Sequence, residues 1–186
     1  MRLHGISGDA WNRYAKEGAW HYDVMDAGFK MNMPDLLAAV GLAQLRKADW
    51  FYRRRREIAS MYLELLSGID ELEMPSFSEG HSWHLFIVRL RPALLEKSRQ
   101  EFIEHLKQAG IGTSVHFIPL HLHSFYRRRY SYRTGDFPSA EDAYERAISL
   151  PIYPGMSNAD VEFVASTTAR IAHASRVRVY VSGMRS

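Results

Sequence analysis

GFKMNMPDLLAAVGLAQLRKADWFYRRRREIASMYLELLSG, running from Gly28 to Gly68, is the stretch on which the reading of this chain turns. After Asn32-Met33-Pro34-Asp35, apolar or small residues recur at Leu37, Val40, Leu45, Ala48, Tyr52, Ile58, Tyr62 and Leu65. That spacing predicts one long amphipathic helix. Pro34 suits a helix start, where its missing N–H is not needed, and Asp35 suits the positive end of the helix dipole. Gly68 supplies a stop. About thirty residues in helical conformation span roughly 45–50 Å, more than one core of this size requires. The stretch therefore reads as a strut, with one lobe packed on its first half and another on its second. Its N-terminus, with unpaired N–H groups and the dipole, suits an anion. Asn32 either adds a side-chain donor to such a site or caps the helix.

The 186 residues are 46% hydrophobic and 24% charged, an ordinary globular composition with enough apolar material for a core. A formal charge of +3 is too mild to mark a polyanion binder. Cysteine is absent, which excludes disulfides and thiolate metal sites. The opening MRLHGISGDAW has no apolar signal-peptide region, and no segment approaches a membrane span in length. The expected location is the cytoplasm, with no membrane partner.

Working outward from the strut, residues 1–27 read as the end of something larger. Asp9 caps a short predicted helix through Ala15, and Trp20 to Val24 reads as extended. Trp11, Tyr14, Trp20 and Tyr22 need a surface to pack on, either the strut or another chain. Beyond the strut, residues 69–80 are a connection. His81 to Leu90 reads as a strand, Ser98 to Ala109 as an amphipathic helix stopped by Gly110, and Thr113 to Ile118 as a second strand. Leu120 to Arg129 is read as a helical turn, and Tyr130 to Pro138 as a loop. Ser139 is the expected cap of a further helix that leads into an extended piece from Ile148 to Ile152. Ser157-Asn158-Ala159-Asp160 starts the last helix. Val177 to Val181 is read as an edge strand or an unstructured tail. This order predicts a small α+β layer, a short sheet covered by helices on one face.

Arg53-Arg54-Arg55-Arg56 is the obvious charge run. Successive helical residues point about 100° apart, so the four do not form one stripe. Solvated helix surface is the expected reading and a nucleic-acid face its rival. His116, His121 and His123 fall close together, with a His-x-His pair that places two rings on one face of a strand. No carboxylate stands at ligand spacing, and Pro119 interrupts the pattern. The lining of a cleft is therefore expected ahead of a metal site. No nucleophile elbow, P-loop, GxGxxG or HExxH occurs.

Seven segments together resemble the sugar aminotransferase family called DegT/DnrJ/EryC1/StrS, pyridoxal-phosphate enzymes of the aspartate aminotransferase fold. They are LHGIS at 3–7, GFKMNMPDLLAAVGLAQL at 28–45, RRREIASMY at 54–62, HSWHLFIVRL at 81–90, GIGTSVHFIPLHLHSFY at 110–126, GDFPSAEDA at 135–143 and SLPIYPGMS at 149–157. They stand in family order and spacing across residues 2–172. The resemblance implies an α/β fold, the C-terminal part of a pyridoxal-phosphate transferase. Residues 1–60 would be the end of the large cofactor domain and the linking helix, 61–174 the small C-terminal domain, and 175–186 a tail. It implies that Asn32 reaches across a dimer interface to the neighbouring subunit's cofactor phosphate, and that His116 lies near the substrate cleft. Pro34 stands where the family has Thr or Ser, so capping by a hydroxyl is lost.

The family's Schiff-base lysine, the acidic partner of the pyridine nitrogen and most of the phosphate cradle match nothing in this sequence. Lys16, Lys30, Lys47, Lys97 and Lys107 all stand in the wrong context to replace that lysine. No catalytic residue and no metal ligand is therefore assigned. The expected function is that of the C-terminal portion of an aminotransferase moving an amino group, commonly from glutamate, to a nucleotide-linked keto sugar for polysaccharide or antibiotic-sugar synthesis. These residues alone are expected to be inactive. The alternative is a non-catalytic interaction or dimerisation module that pairs with a separate N-terminal half or a homologue.

Overall fold

The computed structural model describes residues 23–31 and 33–177. Asn32, the aromatic group Trp11, Tyr14, Trp20 and Tyr22, and the tail after Val177 lie outside the described residues. The chain divides into two compact units between Ala48 and Asp49.

In the first unit, Asp35–Leu45 forms helix α1. Pro34 occupies its N-cap position with no side-chain hydrogen bond, as the missing hydroxyl predicts. The single long helix expected over this region is interrupted. Arg46 N–H still reaches Leu42 O, but Lys47 N–H bonds Gln44 O at 2.9 Å, three residues back rather than four. Helix α2, Ala48–Leu65, starts after this tightened turn. No Gly or Pro marks the break, so residue pattern alone does not reveal it. The two helices also differ in what they bury. All of α1 is solvent-exposed, although DLLAAVGLAQL is apolar on nearly every side, whereas α2 buries Ile58, Ala59 and Tyr62.

The second unit holds an antiparallel sheet of three strands, β1 (Leu72–Glu73), β2 (Phe86–Leu90) and β3 (Ala147–Leu150), in spatial order β1-β2-β3. The β1–β2 register pairs Leu72 with Leu90; the β2–β3 register pairs Phe86 with Leu150 and Val88 with Ile148. Around the sheet stand α3 (Arg99–Gln108), α4 (Ser124–Tyr130), α5 (Pro138–Arg146) and α6 (Asn158–Ala174). On β2, Phe86, Val88 and Leu90 alternate inward while Ile87 and Arg89 are half-buried on the other face. The inward face packs with Tyr62 of α2 and Leu66 just after it, Phe102 and Leu106 of α3, and Val161, Val164 and Ile171 of α6.

Three expected elements are corrected. The strand expected from His81 begins only at Phe86, because His81 Nδ1 accepts Trp83 N–H at 2.9 Å and Trp83 takes a positive φ of 49°, a local turn instead of a ladder. Thr113 to Ile118 is not a strand; it touches β3 through one bridge, Ser114 to Ser149. Ser139 is not the cap of α5, whose N-cap is Phe137 with Pro138 in the first turn. Strand β1, two residues inside the expected connection, is too short to show alternation.

The caps of α3 and α6 are local and complete. Ser98 and Glu101, and Ser157 and Asp160, form reciprocal capping boxes. At the end of α3, Gly110 takes φ +81°, Ile111 N–H reaches Leu106 O and Gly110 N–H reaches Lys107 O. These are the two bonds of a Schellman stop, which requires a left-handed residue. The Ser98 hydroxyl and then its N–H hold the Glu101 carboxyl below its ordinary value, and Ser157 does the same to Asp160. A depressed carboxyl contributes stability above the unfolded-state value and loses it as pH falls through the folded one. Ser157→Ala is therefore expected to cost about 1 kcal/mol at neutral pH, with a smaller loss in acid where Asp160 is protonated. Urea unfolding at the two pH values checks both.

Among the described residues, no helix is long and apolar enough to cross a membrane.

Candidate functional site

His116 is reached from β3. Ser149 exchanges both backbone hydrogen bonds with Ser114, N–H to O at 2.8 Å and O to N–H at 3.2 Å, which ties the 113–116 segment to the strand edge. Two residues on, the half-buried His116 places Nδ1 2.8 Å from the Ser149 hydroxyl oxygen. The His116–Phe117 peptide is cis, and the two rings meet edge to face at 4.6 Å. His116 lines a cleft of about 280 Å³ on the face of the sheet away from the main core, together with Arg89 of β2, Phe117, and Ala143 and Tyr144 of α5.

The cations near the cleft are paired. Arg89 and Arg146 grip the two oxygens of Glu73, Arg146 at 2.9 Å, and Arg146 also donates to Asp142 at 2.6 and 3.0 Å. The bonds to Asp142 and then to Glu73 raise the Arg146 guanidinium above its already high ordinary value. Arg99 donates to Tyr144 O and lies over the Tyr144 ring. Arg89 and Arg146 are thus held by carboxylates and Arg99 by a carbonyl and a ring, so among the described residues the cleft presents an open imidazole beside aromatic and small apolar surface.

The other histidines do not join it. His121 is buried, with Nε2 2.7 Å from Glu141 Oε1 and its ring 4.8 Å from Phe137. Glu141 also accepts the Gly135 N–H at 2.8 and 3.1 Å. That backbone donor first, and His121 second, hold its carboxyl below the ordinary range. The pair pins the turn before α5. His123 is exposed at the start of α4. Among the described residues, no group of three or more His, Asp or Glu side chains converges as a metal site.

The arginine run is corrected as well. Arg53 is exposed, as solvated surface should be. Arg54 donates to Met156 O at 2.7 Å and Asn158 Oδ1 at 2.9 Å. Arg55 donates to Trp83 O, His84 O and Ile152 O at 3.0–3.2 Å. Arg56 lies over the Phe77 ring. Arg54 and Arg55 are therefore ties from α2 to segments distant in sequence, whereas Arg53 and the part-exposed Arg56 stay at the surface. Arginine runs carry no signal that separates this from a solvated face. Ser149 was missed for the same reason, although it lies in the SLPIYPGMS segment.

Pyridoxal phosphate needs an enclosed lysine for its aldehyde. Lys30, Lys47 and Lys107 are exposed, and Lys97 Nζ lies 3.2 Å from His105 Nε2. Lys16 and Asn32 lie outside the described residues. Among the described residues, no lysine is buried.

The family model of the DegT/DnrJ/EryC1/StrS aminotransferase family matches residues 1–168. The uncharacterized protein MJ1066 of Methanocaldococcus jannaschii is 48% identical over 178 residues, 95% of this chain and 46% of that protein. The spore coat polysaccharide biosynthesis protein SpsC of Bacillus subtilis is 44% identical over 167 residues, 88% of this chain and 43% of that one. Spr1654 of Streptococcus pneumoniae, assigned as a sugar aminotransferase, superposes in its apo form with a TM-score of 0.75 at 30% identity, covering 93% of this chain and 42% of that one. Its PMP and PLP forms give TM-scores of 0.77 and 0.75 at 28% and 27% identity, covering 93% of this chain and 43% and 42% of that one. The chain thus spans less than half the length of the curated relatives it matches.

Proposed function

The chain belongs to the DegT/DnrJ/EryC1/StrS aminotransferase family, and we propose that it supplies the C-terminal part of a pyridoxal-phosphate aminotransferase acting on nucleotide-linked keto sugars. SpsC, named for polysaccharide biosynthesis, and Spr1654, with its PLP and PMP forms, support that substrate class and cofactor. In this reading residues 1–60 end the large cofactor domain and carry the linking helix. Residues 61–174 form the small domain, and 175–186 a tail. Asn32 serves the cofactor phosphate across a homodimer interface, and His116 faces the sugar. Glutamate is the expected amino donor. When bound, the cofactor supplies the aldehyde that carries the amino group between substrates.

The observation that carries the proposal is α1. Leu36, Leu37, Val40, Leu42 and Leu45 are 53–77% exposed on one eleven-residue helix. An apolar surface of that size is normally covered, and in this reading the rest of the large domain covers it.

Purified chain mixed with pyridoxal phosphate is expected to retain free-aldehyde absorbance, to show no single lysine labelled after borohydride reduction, and to give no turnover with glutamate. An imine band with one labelled lysine and turnover would overturn the claim that these residues lack a complete site. The same exposed helix favours a second reading, a module that pairs with a separate N-terminal half or another copy. A monomer on sizing at high concentration, unchanged by that half or by a homologue, would remove it.

A further inference from the structure

We propose that Ser149 is a positioning residue for His116, its hydroxyl donating to Nδ1 so that the neutral imidazole is held as the Nε2–H tautomer. The inference rests on the reading of His116 as a residue of the substrate cleft and assigns the form in which it meets the substrate.

Ser149 is 5% exposed and sits within β3, in register opposite Ile87 of β2, with its backbone N–H and C=O both bound to Ser114 on the other side. Among the described residues, the hydroxyl's one partner is His116 Nδ1 at 2.8 Å. Two arrangements are possible at that contact. If Nδ1 carries the proton and donates to the oxygen, the hydroxyl proton is left buried without an acceptor. If the hydroxyl donates to the Nδ1 lone pair, every buried proton at the contact is used. The second is favoured because an unmet buried donor carries its full desolvation cost.

The ring proton then belongs to Nε2, for which the described residues provide no partner. The ring lines the cleft beside Arg89, Phe117 and Tyr144. Arg89 is engaged by Glu73, so Nε2–H is the free imidazole donor there. It selects an oxygen acceptor, such as a sugar hydroxyl or carbonyl. Ser149 acts on the substrate only through His116, as partners of the second ring nitrogen do at other functional histidines.

Long-range proton–nitrogen NMR of the histidine-labelled chain, at alkaline pH where imidazoles are neutral, tests this without substrate or cofactor. The exposed His123 provides a reference ring in the same spectrum. In the unmodified chain His116 is expected to show one Nε2–H pattern, with its Nδ1 signal displaced from that of His123 by the accepted hydrogen bond. In Ser149→Ala that displacement is lost and the His116 nitrogens move to the His123 values. In Ser149→Thr, which keeps the hydroxyl and favours a strand, the displacement returns. An Nδ1–H pattern in the unmodified chain would overturn the proposal. So would unchanged His116 signals in Ser149→Ala, or a Ser149→Thr spectrum matching Ser149→Ala. Should Ser149→Ala not fold, the unmodified pattern and Ser149→Thr still decide. The aminotransferase reading fails separately, in the borohydride and turnover experiment.

Discussion

Phe86→Ala is expected to remove about 3–5 kcal/mol of folding stability from the second unit, the largest single loss among the variants considered. Phe86 is fully buried at the start of β2, with its ring 4.9 Å from Tyr62 and 5.8 Å from Trp83. Truncation therefore opens a cavity where α2, the 81–85 turn and the sheet meet. The neighbours cannot close over it. Tyr62 is tethered by its hydroxyl donating to Pro151 O at 2.9 Å, and burial pushes its phenol well above the ordinary value. Trp83 is fixed by its own turn. Ile87→Ala, one residue on and facing the other side of the sheet, is expected to lose less than half as much because its side chain is only half-buried. Urea midpoints of the two variants check the alternation directly; equal losses would mean that β2 does not pack as described.

Arg55→Ala is the second large effect, about 2–3 kcal/mol. One half-buried guanidinium serves three carbonyls, two in the 83–84 turn and one after β3. Without it these acceptors lose a charge-assisted donor, and α2 loses its tie to both loops. Arg55→Lys is expected to recover only part of the loss, since a point ammonium does not reproduce the planar fork. Arg53→Ala, two residues earlier and exposed, is expected to stay within about 0.5 kcal/mol of the unmodified chain. A comparison by urea unfolding separates a structural tie from a solvated charge run. Losses equal at 53 and 55 would restore the surface reading for the whole run.

A buried carboxylate makes the same point at the other end of the unit. Glu71 is fully buried, and Arg176 Nε lies 3.2 Å from its Oε1 without the alignment of a hydrogen bond. Nothing near Glu71 in sequence announces this, because the partner follows α6, more than a hundred residues later.

What the residue pattern alone determined is what neighbours in sequence can satisfy. Helix α3 was legible nearly to the residue at both ends and α6 at its start, because Ser98 with Glu101, Ser157 with Asp160, and Gly110 complete those ends within a few positions. The apolar alternation of β2 was legible from Phe86 onward, and the family from seven segments in register, now matched over residues 1–168. Tertiary structure decided the rest. The break at Arg46–Lys47 has no Gly or Pro to signal it. The roles of Arg54 and Arg55 depend on carbonyls up to 102 positions away, and the pairing of His121 with Glu141 spans 20. The contact between His116 and Ser149 spans 33 positions and exists only because a single bridge holds Ser114 to the edge of β3. Hydrogen-bonding groups are met locally when the chain's own geometry brings partners within reach. Where it does not, only the packed fold selects which distant group answers.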